Sequence, residues 1–198
     1  MDNFRTFITE AGNKGLTIFD IDDTMFKTKA RVKVMPSGKY LTPKSFNTYK
    51  LGKGEELDFG EFKSAKLFQQ TAVPIGRMIS KFKMILKNAV KSGSKVIIVT
   101  ARADMDDKKL FVNTFKAQGL DMDNVYIERA GNIGLDSAAK NKEVVFRKYL
   151  DTGLYKRIRL FDDAVENLKA LISLKNEYPD VTFEAYRVKK DGSIQTMK

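Results

Sequence analysis

The chain contains no cysteine and no histidine. The first absence excludes disulfides, thiolate nucleophiles and cysteine-based zinc sites, and the second excludes imidazole as acid, base or metal ligand. Chemistry must then rest on carboxylates, lysine, arginine and hydroxyls. Carboxylates favour hard cations such as Mg²⁺ over zinc or copper. No uninterrupted apolar run approaches the roughly 20 residues that span a bilayer, so no membrane segment is expected. The stretch Met1 to Lys14 mixes charges with Phe4, Phe7 and Ile8 and lacks the apolar core of a secretory signal, which leads to the expectation of a cytoplasmic protein. Internal repeats and low-complexity tracts are also missing.

What is present is ordinary in amount and informative in arrangement. With 198 residues, 42% hydrophobic and 31% charged, the chain is long enough to form a single domain over 1–198 that buries about 70% of its unfolded surface. Its 36 basic residues exceed its 25 acidic ones, giving a formal charge of +11. Such a field attracts phosphorylated substrates, nucleotides or nucleic acid, although a merely solvated lysine-rich surface reads the same way. No helix-turn-helix, zinc-finger or RNP-type signature accompanies the charge. Nothing in the sequence specifies an oligomeric state.

Short apolar runs alternate with longer segments of helical period, which predicts an α/β fold with a mostly parallel, Rossmann-like sheet flanked by helices. Predicted strands are Leu16 to Phe19, running into Asp20; Lys95 to Val99, running into Thr100; Val125 to Ile127; and Arg157 to Phe161, running into Asp162 and Asp163. Three of the four end in polar residues, where an open parallel sheet places its ligand crevice. Helices are predicted from Ile75 to a stop at Gly93, over 104–118 with a stop at Gly119, over 140–150 and over 164–177. Val181 to Val188 reads as an edge strand followed by a turn at Lys190-Asp191-Gly192. Residues 27–73 break the alternation: a hairpin is expected around Pro36 to Lys39, and the segment 51–60 is rich in glycine and charge. This region is expected to be a small insertion after the first strand, a flap or small cap over one rim of the sheet.

Three clusters carry chemistry. In Asp20-Ile21-Asp22-Asp23-Thr24, residues two apart share a face while the chain stays extended, so Asp20 and Asp22 can serve one ligand as nucleophile and acid-base partner. An acidic turn capping a helix, with Thr24 as cap, is the plainer alternative. In Thr100-Ala101-Arg102, a hydroxyl at a strand end precedes a turning chain and a bidentate donor, a combination that can hold phosphoryl oxygens. Thr100 can equally be a helix cap or turn residue. Asp162 and Asp163 repel each other unless solvated or paired with cations, and a divalent ion can hold them, though Asp163 also fits a capping position. Lys140 and Lys142 lie at a predicted helix start, where either is ordinarily a surface residue.

In order and spacing these elements resemble the four motifs of the haloacid dehalogenase (HAD) superfamily, over roughly Leu16 to Leu168. The resemblance implies a HAD-like fold and a Mg²⁺-dependent phosphatase. By it, Asp20 is the nucleophile, Asp22 the general acid and base, and Thr100 the phosphate-binding hydroxyl. Mg²⁺ is held by Asp20, Asp162, the backbone carbonyl of Asp22 and, through water, Asp163. The stretch from Lys142 to Leu150 resembles the matching region in the phosphatase domain of phage polynucleotide kinase-phosphatases. On that basis Lys142 is the motif lysine with Lys140 as alternative, and Ala101, Arg102 and Lys140 join Thr100 in binding substrate. No G-x-x-x-x-G-K-[ST] loop occurs, so the kinase half of such proteins has no counterpart here. The implied substrate is a nucleic-acid 3′-phosphate or a nucleotide. The alternatives are a small-molecule monophosphatase with a closing cap, or a catalytically vestigial binding module for nucleic acid or protein on the same fold.

Overall fold

The structure is a computed structural model that describes residues 14–42, 45 and 49–197. The segment Met1 to Asn13, on which the reading of the N-terminus rests, lies outside them. At the centre is a six-stranded sheet made of β1 (Gly15–Phe19), β7 (Lys95–Thr100), β8 (Tyr126–Arg129), β9 (Arg157–Asp162), β10 (Thr182–Val188) and β11 (Ile194–Met197). Their order across the sheet is β11-β10-β9-β1-β7-β8, and every pairing is parallel except β10 with β11. The mostly parallel sheet is flanked by helices and is compatible with a Rossmann-like arrangement. None of the helices among the described residues is long and apolar enough to cross a membrane.

All five residues of β1 are buried, as expected of a strand covered on both faces. Alternation then sorts the core into two layers. Phe19, Val96, Ile98 and Phe161 point to the layer beneath α3 (Gly76–Ser92) and α4 (Lys108–Lys116). Leu16, Ile18, Ile97, Val99 and Leu160 point to the opposite layer, beneath α5 (Ala138–Leu150) and α6 (Val165–Ser173). After β1 the chain crosses to β7 and β8 on one side, then returns beyond β1 to form β9 and β10. The switch between these two directions lies between β1 and β9, where open sheets of this kind place their ligands.

The predicted elements and the observed ones differ at several ends, each for a local reason. The helix expected over 104–118 begins only at Lys108, because Asp107 caps it by accepting from the Leu110 amide at 2.8 Å. Asp106 is instead tied to the insertion: its amide donates to the Lys63 carbonyl at 2.9 Å, and its carboxylate accepts from the Ala65 amide at 2.8 Å. Capped by Ser137, α5 begins at Ala138, two residues before its expected start. The helix expected over 164–177 ends at Ser173 and continues as a single 3₁₀ turn, Leu174–Asn176. Val181 to Val188 is not an edge strand. Beyond the turn at Gly192, β11 pairs with β10 antiparallel and takes the edge itself.

The insertion is built on short antiparallel pairings. β2 (Phe26–Lys27) pairs with β6 (Val73–Pro74), and between them β3 (Val32–Met35), β4 (Lys39–Leu41) and β5 (Glu56–Asp58) form a sheet of order β4-β3-β5. The expected hairpin is β3–β4, whereas β5 lies unannounced inside the segment rich in glycine and charge. Two helices, α1 (Gly60–Lys63) and α2 (Ala65–Thr71), complete it. Phe68 of α2 packs against Phe26, Phe111 and Phe115, which fastens the insertion to α4.

Candidate active site

Asp20 follows β1 directly and Asp162 ends β9. Because Phe19 is in register with Phe161, the two aspartates leave neighbouring strands at the same level, and the Asp20 amide donates to the Phe161 carbonyl at 3.0 Å. The row below is closed by aromatic stacking, with Phe161 between Phe19 and Tyr186 at ring-centroid distances of 4.7 and 5.1 Å. Both carboxylates are buried, and carboxylate oxygens of Asp20, Asp162 and Asp163 lie within 4.8 Å of one another.

Lys142 meets them from α5. Its side chain is 1% exposed, and its Nζ donates to Asp20 Oδ1 at 2.6 Å and to Asp162 Oδ2 at 2.7 Å. Asp162 also accepts from the Ala164 amide at 2.9 Å and from Asn167 Nδ2 at 3.0 Å. One ammonium therefore serves a group of three carboxylates. Burial works against the Lys142 charge, but Asp162 and Asp20 outweigh it and hold its pKa above the ordinary lysine range. The surplus negative charge has the opposite consequence for the acids. Burial, opposed by Lys142 and reinforced by Asp162, Asp163 and Asp22, pushes Asp20 well above the usual carboxylate range. Asp163 is pushed up to about 7 by burial and by the neighbouring Asp162 and Asp23. A set of oxygen donors carrying excess negative charge fits a hard divalent cation better than a soft one.

Asp20, Lys142, Asp163 and Asn167 line a cavity of about 780 Å³, while Asp162 is fully buried and outside its lining. Its polar side includes Asp20, Asp22, Asp163 and Lys142; its other side is the insertion, through Val32, Leu57, Phe59 and Phe62. Ala101 and Arg102 line it as expected, and Ala103 beside them. Asp22 accepts from Thr28 Oγ1 at 2.6 Å and from two nitrogens of Arg102. Asp23 turns the chain with a left-handed φ of 56°, a conformation that aspartate tolerates better than most residues. No helix follows Thr24; its hydroxyl is buried without a partner, so the capping alternative does not describe this segment.

Other expected residues are placed differently. Thr100 is fully buried below the cavity lining, its hydroxyl accepting from the Arg102 amide at 3.1 Å. Arg102, although it lines the cavity, is 2% exposed and already engaged by Asp22 and the Phe62 carbonyl. Lys140 points outward to Asp136 at 2.8 Å and does not line the cavity, so of the two lysines only Lys142 reaches the carboxylates.

Sequence reasoning passed over three contributors. Asn167 orients Asp162; its only signal was a polar residue on the otherwise apolar buried face of α6 beside Leu168 and Leu171. Asn141 is buried next to Lys142 and shapes the loop before α5, accepting from the Leu135 amide at 2.8 Å. Gly131 lies against the loop after β7, where an added Cβ would come within 2.2 Å of the Ala101 carbonyl oxygen. That contact joins residues 30 apart, and no local pattern announces it. In comparisons with models of known families and with curated proteins, nothing matches this chain.

Proposed function

We propose that this protein is a Mg²⁺-dependent phosphomonoester hydrolase of the HAD type, acting through an aspartyl-phosphate on Asp20. One observation carries the reading: Asp20, Asp162 and Asp163 converge from neighbouring parallel strands at the switch point of the sheet, with a buried lysine bridging the first two.

The three carboxylates would hold Mg²⁺. When bound, Mg²⁺ supplies a Lewis acid that draws charge from a phosphoryl oxygen. Asp20 supplies the nucleophilic oxygen: its bond to phosphorus forms as the bond from phosphorus to the leaving oxygen breaks. Asp22 gives a proton to that leaving oxygen and later takes one from the water that cleaves the aspartyl-phosphate. Lys142 fixes the direction of Asp20 and offsets charge on the transferring group, an electrostatic contribution that phosphoryl transfer chiefly needs. Thr100 and Asn167 act at one remove, the first by shaping the loop of Ala101 to Ala103 and the second by holding Asp162.

The substrate class follows from charge and shape. A formal charge of +11 favours an anionic partner, and a cavity far larger than a phosphate, walled on one side by apolar residues of the insertion, favours a leaving group with a sizeable, partly apolar body. A nucleic-acid 3′-phosphate or a nucleotide has both properties. Phosphate release from a 3′-phosphorylated oligonucleotide, from nucleoside monophosphates and from p-nitrophenyl phosphate tests this. Turnover is expected to stop with a chelator, return with Mg²⁺ and vanish in Asp20→Asn; activity retained by that variant would remove Asp20 from the reaction. Preference for the oligonucleotide, falling steeply with salt, would identify the polymer as substrate.

A further inference from the structure

The guanidinium of Arg102 is the most constrained cation in the cavity after Lys142. Its Nε donates to Asp22 Oδ2 at 2.9 Å and its Nη2 to Asp22 Oδ1 at 2.7 Å, a two-point fork on one carboxylate. Its Nη1 donates to the Phe62 carbonyl at 2.9 Å, and its carbon lies 5.1 and 5.0 Å from the ring centroids of Phe62 and Phe68. Phe62 and Phe68 belong to the insertion, and Asp22 to the turn after β1. Arg102 therefore joins two parts of the chain through three of its nitrogens: a carboxylate in the turn after β1, and a backbone carbonyl with two rings in the insertion. The Nε/Nη2 edge of the guanidinium is thus occupied, and a phosphate could take that edge only by displacing Asp22.

The attachment continues along the same seam. Four residues after Arg102, Asp106 accepts from the Ala65 amide and donates to the Lys63 carbonyl, so the loop after β7 and the junction of α1 with α2 are held together at both positions. Asp106 does not line the cavity.

We propose that Arg102 is a positioning residue for Asp22 and that the insertion, through the Phe62 carbonyl and the clasp at Asp106, holds Arg102 in place. The insertion is then part of the acid-base machinery, beyond any role as a wall for the leaving group. This rests on the phosphatase reading for its kinetic consequence, but the clasp itself is a structural claim that stands without turnover.

Two measurements on the full chain separate those levels. In ¹⁵N NMR the Arg102 Nε–H is expected to exchange slowly with solvent in the wild type and to lose that protection in Asp22→Asn and in Asp106→Ala. Fast exchange in the wild type, or protection unchanged in both variants, would overturn the proposal whether or not the protein hydrolyses anything. In the kinetic arm, Arg102→Met is expected to lower kcat by roughly 10²-fold, the size expected when a catalytic group is displaced by about an ångström, with little change in KM. Combined with Asp22→Asn it should add nothing further, because it acts only through Asp22. Additive losses, or a rise in KM as the main effect, would make Arg102 a direct substrate ligand and sink the proposal. Arg102→Lys keeps the charge without the fork and is expected to behave as Arg102→Met does; full rescue by lysine counts against positioning. Asp106→Ala, away from the cavity, is expected to lower kcat less and likewise to be silent in the Asp22→Asn background.

Discussion

The two walls of the cavity are built on opposite principles. The sheet wall places charged groups on long, register-locked strands and on α5, and buries them among two extensive apolar layers. The insertion wall has strands of two to four residues over a small core of Val32, Val34 and Leu41, and shows the cavity apolar side chains. Rigid backbone is spent where charges must be held against repulsion, and short elements suffice where the lining is largely apolar and its polar contacts run through Arg102 and Asp106. The difference teaches where each wall should be vulnerable: a perturbation of the first is expected to be felt by the whole fold, and one of the second to stay local.

The hardest way to break that contrast is to remove the cation that reconciles the carboxylates. Lys142→Met leaves Asp20 and Asp162 facing each other in the interior, and breaking a buried pair in this way costs about 3–5 kcal/mol. Thermal denaturation should show a large fall in melting temperature, reduced when Mg²⁺ is present. No fall would mean that Lys142 is not the group that holds the acids together.

A smaller effect tests the same wall through protons. Asp163 has a pKa of about 7 in the folded chain, against about 4 when unfolded. Between those values the folded state binds more protons than the unfolded state, so without metal its stability falls as pH rises from about 4 through about 7. Asp20, also raised, shifts the balance in the same direction. Comparing melts of the chelated wild type with Asp163→Asn isolates the effect: the variant should become the more stable of the two as pH rises. A constant difference across the window would show that Asp163 ionises as freely folded as unfolded.

The smallest effect belongs to the other wall. Val34→Ala removes buried methyl groups worth roughly 1–2 kcal/mol, but within the insertion. Amide exchange in β3 and β4 should quicken while the melting temperature moves far less than in Lys142→Met. Equal shifts in the two variants would show that the walls unfold together and erase the distinction.

How much of this was legible in the sequence depends on the range of the interaction. Strand ends at Asp20 and Thr100 could be read because burial on both faces leaves near-continuous apolar runs that stop where the crevice begins, and the end at Asp162 because Leu160-Phe161 stops at two carboxylates. The hairpin of β3 and β4 was legible from Pro36 to Lys39, a local turn signal. β5 and β11 were not, since they are only three and four residues long, mostly exposed, and formed by pairing with a neighbouring strand. The choice between Lys140 and Lys142 could not be made from spacing alone, because it depends on which face of α5 meets the sheet. Arg102 shows the limit most clearly: its residue type suggested a phosphate ligand, and nothing local announces its contacts with Asp22 and Phe62, 80 and 40 positions away.

The pairing of Phe19 with Phe161 sets a rule for how this molecule can change. Adding or deleting one residue within β1 or β9 would turn one aspartate to the opposite layer of helices and dismantle the carboxylate group at a stroke. The segments leading away from the strands carry no such phase requirement. The cavity can thus be reshaped by redrawing the region between β2 and β6, provided the count of residues along the two central strands is never altered.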